Sequence, residues 1–106
     1  MEEKPDRKSK LLAMLEQTPD DPFLVYGLAM EVKKEGDHIE AIKLFSRVIE
    51  LDKGYSYAYY QQGLSLEETG DLDAAKRTYR AGIQVSQDKG DTHAAGELAA
   101  ALELLE

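Results

Sequence analysis

The chain of 106 residues contains no cysteine, which excludes a disulfide framework, a thiolate metal site and a cysteine nucleophile. It contains no asparagine either, so no N-glycosylation sequon exists. No stretch comes near the roughly 18 consecutive apolar residues of a membrane-spanning helix. The opening MEEKPDRKSK alternates in charge where a secretory signal carries an apolar core. A cytoplasmic protein is expected. Positive charge is in short supply, with 13 Lys and Arg against 21 Asp and Glu, a formal net of −8. That balance repels polyanions at long range, so neither nucleic acid nor an acidic membrane is an expected partner.

What is present favours one conformation. Ala, Leu, Glu, Lys and Gln are abundant and β-branched runs of strand length do not occur, so the fold class is all-α. Breakers recur at Thr18-Pro19-Asp20-Asp21-Pro22, Gly36-Asp37, Lys53-Gly54, Gly70-Asp71 and Lys89-Gly90-Asp91. They leave segments of roughly 12 to 16 residues, which predicts about six helices joined by short turns in a single domain.

The turns carry their own logic. Gly36 and Gly70 can adopt the left-handed conformation that closes a helix, and the aspartate after each can cap the next one. Asp37 has Glu40 three residues on, a capping-box spacing. Asp21 precedes Pro22, which suits a first helical position because the N–H it lacks would have had no partner there.

The two Gly-Asp turns are separated by a 34-residue interval, the period of one helix-turn-helix repeat type. The same interval pairs Ala41 with Ala75, Phe45 with Tyr79, Ile49 with Ile83, Val32 with Leu66, Val25 with Tyr59 and Leu51 with Val85. One period back from Phe45 and Ile49 stand Leu11 and Leu15, so the first helix reads as the second half of an upstream repeat. One period on from Tyr60 and Leu64 stand Ala94 and Leu98, so the last helix reads as the first half of a third. The expected organisation is a half-repeat helix over 5–17, complete repeats over 22–55 and 56–89, and a half-repeat capping helix over 90–106.

Through Gly36-Asp37-(2)-Glu40-Ala41-Ile42-(2)-Phe45 and Gly70-Asp71-Leu72-Asp73-Ala74-Ala75-(3)-Tyr79, nearly the whole chain resembles the tetratricopeptide-repeat family in its small bacterial form. The resemblance implies antiparallel helix pairs stacked as a short right-handed α-solenoid. It also implies small residues at the close helix contacts, here Ala29, Gly63, Ala41 and Ala75. Three family positions differ: Lys53 and Gln87 replace the closing prolines, Val25 and Tyr59 the tryptophan, and Gln62 a core leucine.

The first helix of the first complete repeat carries two apolar stripes. Val25, Leu28, Ala29 and Val32 are spaced to pack on Ile42, Phe45, Val48 and Ile49. Phe23, Tyr26 and Met30 form the other stripe, reproduced one period later as Tyr57, Tyr60 and Leu64. In the family this face lines a concave groove. The resemblance therefore implies a protein-interaction module, an adaptor or scaffold holding a peptide or protein segment on Phe23, Tyr26, Met30, Tyr57, Tyr60, Gln61 and Leu64. Coverage of the same stripe by the terminal helices is the alternative.

The basic clamp with which some family members hold a C-terminal carboxylate has no residues here. Its matching positions are Tyr26, Met30, Gln61, Asp91 and Ala95. A second reading is a self-associating scaffold, a homodimer formed through the apolar last helix at Leu98, Leu102 and Leu105. No enzymatic activity and no cofactor or metal is expected. His38 and His93 are far apart in the chain and lack ligand spacing, the glycines form no phosphate loop, and Asp71 and Asp73 lack the other oxygens of a calcium loop. Arg77, Arg80 and Lys76 read as solubility features able to pair with Asp73.

Overall fold

A computed structural model describes residues 6–106, and these form six helices: α1 (Arg7–Gln17), α2 (Pro22–Lys34), α3 (His38–Leu51), α4 (Ser56–Glu68), α5 (Leu72–Asp88) and α6 (Thr92–Leu105). Among the described residues there is no strand. A helix start at residue 5, and the charges Glu2, Glu3 and Lys4, lie outside them.

One turn device is used three times. Gly36, Gly70 and Gly90 have φ of +88°, +84° and +76°. Each glycine N–H donates to the carbonyl three residues back. The following aspartate N–H reaches five back, to Val32, Leu66 and Ser86. This double closure satisfies carbonyls that a helix end leaves unpaired. The same aspartates then cap the next helix. Oδ1 of Asp37, Asp71 and Asp91 accepts from the N–H of Glu40, Ala74 and Ala94 at 3.0–3.2 Å. Asp37 therefore caps as predicted, but its backbone N–H is spent on Val32, so Glu40 does not close a reciprocal capping box. Helix α4 starts without a side-chain cap, at Tyr55.

The helices stack in chain order into an elongated body of 51 × 29 × 20 Å. The main contacts run between consecutive helices, with α4 also reaching α6. One core joins Val25, Leu28, Ala29 and Val32 of α2 to Ala41, Phe45 and Val48 of α3 and Ala58 of α4. A second joins Tyr59 of α4, Ala75 and Tyr79 of α5, and Leu98 and Ala101 of α6. Burying each large side chain stabilises the fold by about 1.5–3 kcal/mol.

Close approach in the second hairpin depends on glycine. A Cβ on Gly63 would lie 2.1 Å from the ring of Tyr79, and one on Gly82 would lie 2.7 Å from Cβ of Tyr59. Each tyrosine thus lies over a glycine of the facing helix. Gln62, at the family's leucine position, is buried and satisfied, because Nε2 donates to the Ile42 carbonyl at 3.0 Å and to Ser46 Oγ at 2.8 Å. Ser86 Oγ donates to Ser56 Oγ at 2.9 Å in a similar buried bridge.

The repeat period changes before the last helix. The N-caps Asp21 and Tyr55 keep the 34-residue interval, whereas Tyr55 and Asp91 are 36 apart, because α5 runs for 17 residues and α3 for 14. In this register Ala94 and Leu98 answer to Ala58 and Gln62, which are buried, and not to Tyr60 and Leu64. Leu98 is accordingly only 1% exposed. At the other end Met14 stands one repeat period before the fully buried Val48, yet it is 52% exposed.

One expected ion pair differs, and two others join α1 to α2. Arg80 pairs with Glu106 at 3.4 Å and not with Asp73. Arg7 and Lys8 pair across to Glu31 and Glu35 of α2, at 3.8 and 3.0 Å.

Candidate functional site

Helices α2, α4 and α6 stand side by side on one face, tied by polar contacts between them. Lys33 Nζ donates to Gln61 Oε1 at 2.5 Å, and the Tyr57 hydroxyl donates to Glu97 Oε1 at 3.3 Å. Burial holds the Lys33 ammonium below the ordinary lysine value, with nearby Glu68 opposing that shift. The seven residues predicted to line a groove all lie on α2 or α4, but they play unequal parts.

Phe23 is 66% exposed and free to meet a ligand. Tyr26 is half-buried. Its ring stacks on Tyr55 at 4.9 Å and tilts against Phe45 at 5.8 Å, so it belongs partly to the core. Burial pushes its hydroxyl pKa up. Tyr60 is also shared, meeting Tyr57 edge-on and Tyr79 at a tilt, both at 6.4 Å. Met30 borders a hollow of about 330 Å³ with Lys33, Lys34 and His38. Leu64 and Tyr60 border another of about 270 Å³, completed by Glu67 of α4 and by Glu97, Ala100, Ala101 and Leu104 of α6.

That second hollow is where counting by the repeat period misleads. With the 36-residue register, Ala100 stands opposite Leu64, and Leu104 comes to the rim 88% exposed. The signal that locates it is the Gly90-Asp91 turn, which sets the start of α6 independently of the repeat period. Tyr55 was invisible for another reason, since it sits in a turn outside both stripes. The three leucines expected at a dimer surface are unequally exposed. Leu98 is enclosed by Tyr59, Tyr79 and Gly82, and Leu102 and Leu105 are half-buried against the same core. The broad apolar arc of α6 is largely used inside its own chain.

A larger concavity of about 400 Å³ lies between α3 and α5, with Tyr59 and Gln62 of α4 also bordering it. Its main buried polar group, Gln62, is satisfied internally, and Glu50 at its edge pairs with Arg47 at 3.7 Å. The histidines have structural partners: His38 Nδ1 lies 3.2 Å from Ser65 Oγ, and His93 contacts Glu97 one turn on. Among the described residues no group of three or more His, Asp or Glu is placed to hold a metal ion. No helix there is long and apolar enough to cross a membrane.

A tetratricopeptide repeat family profile matches residues 56–89, the α4–α5 hairpin. The solution structure of a tetratricopeptide repeat domain protein from Salinibacter ruber is 35% identical, over 83% of this chain and 89% of that one, with a TM-score of 0.78. The chain belongs to the tetratricopeptide-repeat family. A Bordetella parapertussis protein superposes on this tetratricopeptide-repeat chain with a TM-score of 0.84 at 25% identity, covering 96% of this chain and 89% of that one. The Yersinia enterocolitica type III secretion translocator chaperone SycD reaches the same TM-score at 16% identity, over 92% and 68%, a likeness of fold alone. No curated protein sequence matches the chain. Tetratricopeptide-repeat domains are protein-interaction modules, and their partners are proteins or peptides.

Proposed function

We propose that this chain is an adaptor that holds an apolar or aromatic-anchored protein segment on the face formed by α2, α4 and α6. The repeat units of that adaptor are 22–55 and 56–89, flanked by α1 and α6 as half-repeats. The observation that carries the reading is the exposure of large apolar side chains on this face, Phe23 at one end and Leu104 at the other. Between them lie hollows bordered by Met30 and by Leu64. Exposed apolar side chains of this kind are what a partner's side chains desolvate on binding. Tyr26, Tyr57 and Tyr60 add broad rings that lose little rotamer freedom when covered. A carboxylate clamp is not part of the proposal, because α4 and α6 contain no Lys or Arg in any register.

Exposure decides which variants test it. Tyr26 and Tyr60 are shared with the core, so truncating them would confound binding with folding. Phe23→Ser and Leu104→Ser remove only exposed surface and should leave the circular dichroism and melting temperature close to wild type. Peptides selected against the wild-type protein from a random display library should lose about tenfold or more in affinity for the double variant, as truncation of apolar anchors does. Unchanged affinity would place the binding surface elsewhere. Self-association through α6 is disfavoured, because Leu98 is buried and Leu104 borders the groove.

A further inference from the structure

The hollow between α4 and α6 is not neutral. Its apolar part, bordered by Leu64, Ala100, Ala101 and Leu104, is flanked by the carboxylates of Glu67 and Glu97. Glu68 and Glu103 lie on the same two helices. No Lys or Arg occurs between Lys53 and Lys76, nor anywhere after Lys89, so on α4 and α6 only His93, which contacts Glu97, can set a positive charge against these carboxylates. The nearest lysine comes from the end of α2, where Lys33 lies by Gln61 and Glu68, and it pairs with neither Glu67 nor Glu97.

Both carboxylates are oriented by phenols. Tyr79, fully buried, donates its hydroxyl to Glu67 Oε2, and Tyr57 donates to Glu97 Oε1, which His93 also contacts. Among the described residues, Glu67 Oε1 and Glu97 Oε2 take no side-chain donor. A carboxylate oxygen without a protein donor relies on solvent, and covering it costs that hydration. A purely apolar ligand covering Leu64 and Leu104 would desolvate both carboxylates and leave Glu67 with its phenol alone and Glu97 with its phenol and His93, a cost set against the gain from apolar burial. A ligand that brings its own cations avoids the cost and makes charge-assisted hydrogen bonds instead.

We propose that the segment held between α4 and α6 is basic and amphipathic. An aliphatic or aromatic side chain would sit against Leu64, Ala100, Ala101 and Leu104, and a lysine or arginine would reach Glu67 and Glu97. The proposal rests on the groove reading above and adds the chemistry of the partner. The long alkyl stem of Lys or Arg suits such a site, since it can lie on the alanines while its head meets the carboxylates. The net charge of −8 acts in the same direction by steering a basic segment toward the protein.

The test uses two labelled peptides on the 106-residue protein, a short amphipathic helix of leucine and lysine and its counterpart with glutamate for every lysine. Binding is read by fluorescence anisotropy and by chemical-shift changes. The leucine–lysine peptide should bind and shift the amides around Leu64, Ala100 and Leu104. The pair Glu67→Gln with Glu97→Gln, which keeps an acceptor for each phenol, should weaken it about tenfold and flatten its salt dependence. The pair Glu40→Gln with Asp73→Asn removes the same charge outside the hollow and should change little. Equal weakening by both pairs would reduce the effect to general attraction by an acidic protein and overturn the proposal. Equal binding of the glutamate peptide would also overturn it, while leaving the groove reading intact if Leu104→Ser still abolishes that binding. Shifts from neither peptide on this face would remove both the proposal and the groove reading beneath it.

Discussion

Tyr59 and Tyr79 each lie over a glycine of the facing helix, an arrangement that makes glycine necessary at two positions and dispensable at another. Gly63→Ala would drive a methyl group to 2.1 Å from the fully buried ring of Tyr79, which has nowhere to move. The overpacking outweighs the better helix propensity of alanine, and a net loss of about 2 kcal/mol is expected in urea denaturation. Gly96 lies in the middle of α6 with no atom near its would-be Cβ. Gly96→Ala should therefore raise stability by about 0.5–1 kcal/mol in the same experiment. Gln62 shows residue chemistry of another kind, since a polar group at a family leucine position is tolerated once both of its donor hydrogens are used.

At the scale of the element, α6 decides the shape of the candidate site. Its first turn is secured by Asp91, whose N–H closes α5 through Ser86 and whose carboxylate caps α6 through Ala94. Asp91→Ala removes the cap and should cost about 1 kcal/mol, with faster amide exchange in the first turn of α6 as its local signature. A similar rate throughout that turn would show the backbone closure to be sufficient alone. Helix α5 contributes by its length, because its 17 residues carry α6 two positions beyond the repeat period. That displacement sends Leu98 inside and brings Ala100 and Leu104 to the groove.

For the whole molecule, stacking means that each helix depends mainly on its neighbours, as in other solenoids. The aromatic residues that join the layers also set the response to alkali. Burial raises the pKa of Tyr26, Tyr55, Tyr59 and Tyr79 above the ordinary value of 10.0, and Glu67 adds to the shift at Tyr79. Above pH 10.0 the unfolded chain ionises these phenols while the folded chain still holds their protons, so folding stability falls as pH rises. Below that pH their contribution is complete and flat. Thermal melts should lose midpoint temperature through this range, and phenolate absorbance should appear together with loss of helical signal. Ionisation of more than two of the six tyrosines well before unfolding would contradict the burial of these four rings.

Composition, breakers and the repeat interval made the helices, the first core and the family legible in the chain alone. These are local or periodic properties: Gly-Asp closes one helix and starts the next, and a helical spacing marks the buried stripe of α2. The candidate site was legible in part. Phe23, Met30 and Leu64 could be assigned to the face that α2 and α4 share, while Tyr26 and Tyr60 proved to be divided between groove and core, because rings of that size reach past their own helix to Tyr55, Phe45 and Tyr79. What only the tertiary structure decided was the register of α6. A repeat period counts residues, whereas packing follows where a helix begins, and a slightly longer α5 separates the two. By itself the sequence determined a helical repeat with an aromatic stripe. The stacking of α6 against α4 and α5 decided which leucine is core, which is exposed, and which two carboxylates flank the hollow between them.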